Sequence, residues 1–254
     1  MPYQANVTDQ AYRYDGSFSG FLCCLFESFA ARELPAAVLA PDQGQLSFFG
    51  SREILTDPQR AARVARGLER LGGAVQDRIA TGFLSDDPDK DLVLLRFARL
   101  CFEQGPRAAG MLGDPDVAAA FALARAVGNE AHLFMEFIRF EERAGMLGAV
   151  IHPKNRVLPL LCGHFCSRLP DEEFLIFDAT HGMALVRRGG RAEYLRMDRY
   201  TPGTEEDERD WQRLWKRFYD ALTIQERRNP VCQRTHQPKR FWQDMCEMRE
   251  IPVP

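Results

Sequence analysis

No uninterrupted apolar run in the chain approaches the roughly 20 residues that a membrane-spanning helix needs. The first ten residues, M-P-Y-Q-A-N-V-T-D-Q, lack the basic-then-apolar plan of a secretory leader. Excess charge is also missing. Against 36 Asp and Glu stand 33 Lys and Arg, a net charge of −3, so no global field draws the chain to nucleic acid or to an acidic membrane. Contact with either must come from a local patch. Seven cysteines, an odd number without regular spacing and with Cys23 beside Cys24, do not make a disulfide framework. They read as reduced, buried thiols, which points to the cytoplasm. No three cysteines lie close enough together to hold an iron–sulfur cluster. Gly16 and Gly20 fit no phosphate-loop spacing.

What is present is ample apolar material, 45% of 254 residues, enough for a sizeable core. The spacing predicts an α+β fold in a single compact domain, 1–254. Its expected parts are a mainly helical 1–135, an antiparallel β-meander over 136–200, and a long C-terminal helix with a basic tail over 201–254. Ser17 is placed to cap a helix whose apolar face is Phe18, Phe21, Leu22, Leu25, Phe26 and Phe29. Asp57-Pro58, Asp87-Pro88 and Asp114-Pro115 are three helix starts, an amide-accepting aspartate before a proline with helical φ. They predict helices at roughly 57–71, 87–104 and 114–134, with another near 73–83. Beyond them, strands are expected near 137–142, 146–152, 173–178, 183–188 and 191–197, with a helix over 158–168. The last helix should be capped by Thr204 and bury Trp211, Leu214, Trp215, Phe218 and Leu222.

The stretch V-G-N-E-A-H-L-F-M-E-F-I-R-F, 127–140, carries helix into sheet and holds two polar residues of interest. His132 is a candidate general base, phosphate donor or metal ligand, or a structural histidine. Arg139 sits among phenylalanines and needs a partner. In C-G-H-F-C, Cys162 and Cys166 share a helical face, whereas His164 lies about 200° round from Cys162, so a zinc site is not expected. His164 and Arg168 do share a face, which suits an anion or a carboxylate. Asp178 closes an apolar strand, either as a catalytic carboxylate or as the capping residue of the Thr180-His181-Gly182 turn.

Between Gln225 and Trp242 stand five Lys or Arg and one acidic residue. This is the one concentrated basic segment of an acidic chain. Arg227, Arg228, Asn229, Arg234, Lys239 and Arg240 could contact phosphates, with Trp242 or Phe241 available to stack on a base; the alternative is a solvated basic tail whose aromatics dock on the core.

Four stretches together resemble a bacterial family of probable DNA metabolism or repair proteins. They are Y-D-G-S-F-S-G-F-L-C-C-L-F-E at the start, V-G-N-E-A-H-L-F-M-E-F-I-R-F in the middle, P-L-L-C-G-H-F-C-S-R-L-P with F-L-I-F-D after it, and I-Q-E-R-R-N-P-V-C-Q-R-T-H-Q-P-K-R-F-W near the end. The resemblance implies association with a radical-SAM protein of DNA modification or repair, and kinship with domains fused to uracil-DNA glycosylase-like domains. The chain itself lacks the cysteine triad for radical-SAM chemistry. It also lacks the water-activating loop of a glycosylase, and Ile151-His152-Pro153-Lys154 is only a superficial echo of that enzyme's second motif. Two expectations follow. The first is a DNA-binding accessory factor with no cofactor, its tail on the polynucleotide and Arg139, Arg168, His132 and His164 as a second polar cluster. The second is an enzyme acting on DNA ends or damaged bases through His132, His164 and Asp178.

Overall fold

The computed structural model describes residues 6–41, 50–143, 145–200, 206–224 and 229–248. Its fold is mixed α/β, and the chain divides into two compact units, Met1–Val127 and Gly128–Pro254.

In unit 1 the strands are β1 (Asn6–Val7), β2 (Gln10–Arg13), β3 (Glu33–Leu34), β4 (Ala37–Leu39) and β5 (Gly50–Glu53). β2 lies between β4 and β5 and is parallel to both, and β1 pairs in parallel with β3. The connection from β2 to β4 runs through α1 (Phe18–Ala30), capped by Ser17, whose hydroxyl accepts from the Gly20 amide at 2.9 Å. Then come α2 (Pro58–Leu71), α3 (Gly73–Phe83) and α4 (Lys90–Gln104). Asp57 caps α2 as its sequence predicts, accepting from Gln59 and Arg60. Asp87 does not cap α4. It accepts from Asp89 in a turn, and the helix begins at Lys90, two residues later than the proline rule places it. The core of this unit gathers Tyr12, Phe21, Leu25, Ile79, Leu94 and Phe97. The boundary between the units falls within α5 (Pro115–Phe137).

Unit 2 is built on a five-stranded sheet in the order β10-β9-β8-β7-β6, from β6 (Glu141–Arg143), β7 (Met146–Ile151), β8 (Phe174–Asp178), β9 (Met183–Arg188) and β10 (Arg191–Arg196). It is not the expected antiparallel meander, because β7 and β8 run parallel, with Leu147 opposite Phe174 and Ile151 opposite Asp178. The reason is α6 (Leu158–Arg168), which carries the chain back across the sheet and makes β7-α6-β8 a crossover unit. Alternation along β8 turns Phe174 and Ile176 toward Phe165 and Phe241, and Leu175 and Phe177 toward Ala184 and Val150.

The C-terminal helix is α7 (Glu206–Leu222), 17 residues rather than a long element, with the short α8 (Pro230–His236) after it. Its expected cap, Thr204, lies outside the described residues. Its apolar stripe is not buried. Trp211 is 67% exposed and Leu222 64%, and Leu214, Trp215 and Phe218 are exposed as well. Helical periodicity fixes which face is apolar but not what covers it. Among the described residues, no helix is long and apolar enough to cross a membrane.

Candidate functional site

The parallel pair fixes where polar groups of unit 2 converge. Ile151 and Asp178 end neighbouring parallel strands, so the loop after each strand emerges at the same sheet edge, the carboxyl end, where open α/β sheets bind ligands. The loop after β7 begins His152-Pro153-Lys154-Asn155. Glu130 of α5, only 2% exposed, closes it. Its carboxylate accepts from the Lys154 amide at 3.0 Å, the Asn155 amide at 2.8 Å and the Asn155 side chain at 2.7 Å. A fourth contact comes from Arg240, whose guanidinium lies 3.0 Å away. Beside it, His152 Nδ1 lies 3.0 Å from Asp244. The C-terminal segment is thus tied to α5 by the Arg240–Glu130 ion pair and to the β7 loop by the His152–Asp244 contact.

Asp178 is buried and accepts from the Thr180 and His181 amides, both at 3.0 Å, which is the turn-capping role. It does more than cap. Its second oxygen lies 2.6 Å from Nδ1 of His181, an imidazole 7% exposed whose Nε2 is buried without a hydrogen-bond partner among the described residues. A carboxylate that fixes one imidazole nitrogen leaves the other as an acceptor, as in a carboxylate-oriented base.

The histidines expected to join Asp178 stand elsewhere. His132 is 73% exposed in its side chain and pairs with Glu136 one turn on, at 3.1 Å. His164 packs edge-on against Phe165, and its Nε2 is buried without a partner among the described residues. No hydrogen bond among the described residues joins His132, His164 and Asp178, so the expected triad is not assembled. Nor is the second polar cluster. Arg139 turns to Glu247 at 2.7 Å and lies 5.9 Å from the Trp215 ring, whereas Arg168 is exposed in the last turn of α6. Burial acts to raise the Glu247 carboxyl, but the hydrogen bonds and charge of Arg139 outweigh it and hold the group below its usual range. Burial pushes the neighbouring Cys246 thiol up to about 11, with Glu247 adding to the effect.

The basic segment divides. Arg240 is taken by Glu130 and lies over the Phe241 ring, and Phe241 is buried against Phe134 and Phe137. Trp242 donates its indole N–H to the Gln237 carbonyl at 2.9 Å. Asn229 caps α8 through the Val231 and Cys232 amides. Arg234 and Lys239 are exposed, with Lys239 5.8 Å from the Trp242 ring. Arg227 and Arg228 lie outside the described residues. Between α7 and this segment runs a cleft of about 630 Å³ lined by Tyr219, Thr223, Asn229, Gln233, Gln237 and Trp242 among others.

Sequence reasoning missed Glu130, Asn155, His152, His181, Asp244 and Glu247 as members of these contacts. The one local signal was the three-residue step from Asp178 to His181; the others are separated by 24 residues or more, as with Glu130 and Lys154.

No curated protein and no solved structure matches the chain. A family model described as a domain of unknown function, DUF4130, matches residues 88–247, which include Glu130, Asp178, His181, Arg240 and Glu247. That match spans well over half of the 254 residues, and the chain belongs to the DUF4130 family.

Proposed function

We propose that the protein is a cytoplasmic DNA-binding accessory factor in DNA metabolism or repair, acting beside a radical-SAM partner that performs the chemistry. The observation that carries this reading is α8 and the turn after it. There Arg234, His236 and Lys239 are exposed, without a carboxylate partner among the described residues. The adjacent cleft supports it, since Asn229, Gln233, Gln237 and Trp242 are side-chain types that read base edges and stack on bases. The uncovered aromatic stripe of α7 is the surface offered to the protein partner. The resemblance in sequence supplies the partner's identity.

The test is a pull-down of purified protein with damaged and intact DNA, with and without the radical-SAM partner, alongside a salt titration of DNA binding. Arg234→Gln with Lys239→Gln is expected to lower the log–log salt slope by about 1.4–1.8. Wild-type binding without any salt slope would count against the reading.

A second reading, an enzyme acting on DNA ends or damaged bases, is favoured by the Asp178–His181 pair with its unpaired Nε2. It requires that His181→Ala abolish strand or base release that His132→Ala and His164→Ala leave intact. Absence of any turnover by the wild type on nicked, flapped and uracil-containing DNA removes it.

A further inference from the structure

Unit 1 holds a groove of about 660 Å³ that none of the contacts above involves. Phe26 and Phe29 of α1 and Phe102 of α4 line it, together with Arg63, Arg66 and Arg70 of α2. The groove is open at Gly67 because that residue has no side chain: a Cβ there would stand 2.9 Å from the Phe102 ring. Steps of three and four residues along a helix bring Arg63, Arg66 and Arg70 to one wall, while Ala61, Val64 and Leu68 turn into the core.

These three guanidinium groups are exposed and have no ion-pair partner among the described residues. Arg60, next on the same helix, differs: Glu27 lies 3.7 Å from it and Asp57 3.6 Å. Acidic side chains therefore neutralise one end of the stripe and leave the wall of the groove positive. In a chain of net charge −3 that concentration is local. Guanidinium forks suit phosphate, which they can hold through two parallel hydrogen bonds.

An apolar ligand alone would leave the three cations without a counter-charge, and a lone phosphate would make no contact with the Phe26 ring, over which Arg60 and Arg63 now lie at 5.2 and 5.9 Å. An unpaired stretch of polynucleotide uses both, with a base against an aromatic ring and the flanking phosphates on the arginines. A duplex keeps its bases stacked inside and cannot offer one to the floor. We propose that this groove of unit 1 binds single-stranded nucleic acid, with Arg63, Arg66 and Arg70 on the phosphates and Phe26 beside the base. The proposal rests on the DNA-binding reading and adds a site to it. Apart from Phe102, the residues named here lie outside the segment matched by the family model.

The experiment is fluorescence anisotropy on the full chain, using a labelled single-stranded oligonucleotide, the duplex of the same sequence and an oligoglutamate peptide. Wild type is compared with Arg63→Gln/Arg66→Gln/Arg70→Gln, with Phe26→Leu, and with Arg234→Gln/Lys239→Gln, after circular dichroism melts confirm folding. Single strand should bind more tightly than duplex. The triple variant should weaken it about tenfold or more and lower the salt slope by about 2. Phe26→Leu should weaken binding severalfold with the slope unchanged, because it removes the ring and no charge. All three tryptophans lie in unit 2, so binding in the groove leaves tryptophan emission unchanged.

If the triple variant binds as the wild type does while the Arg234/Lys239 variant loses binding, the groove proposal falls and the unit 2 reading stands. The reverse pattern keeps the groove and removes the unit 2 surface. Arginine-dependent capture of oligoglutamate without oligonucleotide binding overturns the groove proposal in favour of an acidic peptide. No nucleic-acid binding by the wild type overturns both.

Discussion

The two units treat their cations differently. In unit 2 buried carboxylates take up cations, with Arg240 of the basic tail on Glu130 and Arg139, outside that tail, on Glu247. In unit 1 a helix whose basic character is less conspicuous in sequence leaves Arg63, Arg66 and Arg70 exposed beside aromatic rings. Unit 1 also pairs a buried acid, Glu33, with Arg52 at 2.8 Å, but one acid from each unit shows the contrast. Burial tends to raise Glu247, yet Arg139 holds it low. Burial pushes Asp91 of α4 up, with Lys90 and the Tyr14 hydroxyl only partly opposing it. The density of Lys and Arg along a chain therefore does not measure its positive surface. What counts is how many of those groups have a carboxylate within reach.

The strongest way to break this comparison is at Arg139. Arg139→Met leaves Glu247 buried without its cation and should cost about 3 kcal/mol in urea unfolding, near the low end for a broken buried pair because Arg139 is partly exposed. A change below about 1 kcal/mol would show that the pair does not hold unit 2 together. Next comes Glu130→Gln, which keeps one oxygen for the backbone and side-chain amides of Asn155 but turns an NH2 donor toward the Lys154 amide and releases Arg240 from its counter-charge. Stability should fall by about 1–2 kcal/mol. Affinity for DNA should rise, with a salt slope steeper by about 0.7–0.9, if the C-terminal segment lies on the polynucleotide. An unchanged slope would mean that Arg240 is purely structural.

The pH dependence sharpens the contrast with opposite signs. Glu247 has a lowered pKa, so its contribution is present above its ordinary value of 4.5 and is lost as pH falls through the folded value. Asp91 has a raised pKa, so its contribution is present below its ordinary value of 3.8 and is lost as pH rises through the folded value. The loss caused by Arg139→Met in urea midpoints should therefore be full at pH 7 and shrink toward pH 3. Asp91→Asn, which keeps an acceptor for Tyr14, should give the smallest effect, a gain under about 1 kcal/mol at pH 7. A loss there would show that the ionised carboxylate is favourable in place.

Local signals in the sequence were legible where local physics decides. Ser17 and Asp57 cap their helices because the amides they serve are two or three residues away. The helix over 158–168 and the turn at Asp178 were readable for the same reason. Arg139 could be seen to need a partner, but Glu247 lies 108 residues further on. The apolar stripe of α7 was readable as a stripe, and its exposure was not. The parallel sense of β7 and β8 was hidden as well, since alternation looks alike in parallel and antiparallel strands.

By itself the sequence determined the helix starts at Ser17 and Asp57, the apolar faces and the strand alternation, because each depends on residues within a turn or two of one another. Only the tertiary structure decided which cations meet carboxylates, that Asp178 orients His181, and that α2 rather than the tail alone carries unpaired arginines. Coulombic and hydrogen-bond partners are chosen by distance in space, and the crossover through α6 and the return of the C-terminal segment to α5 set those distances.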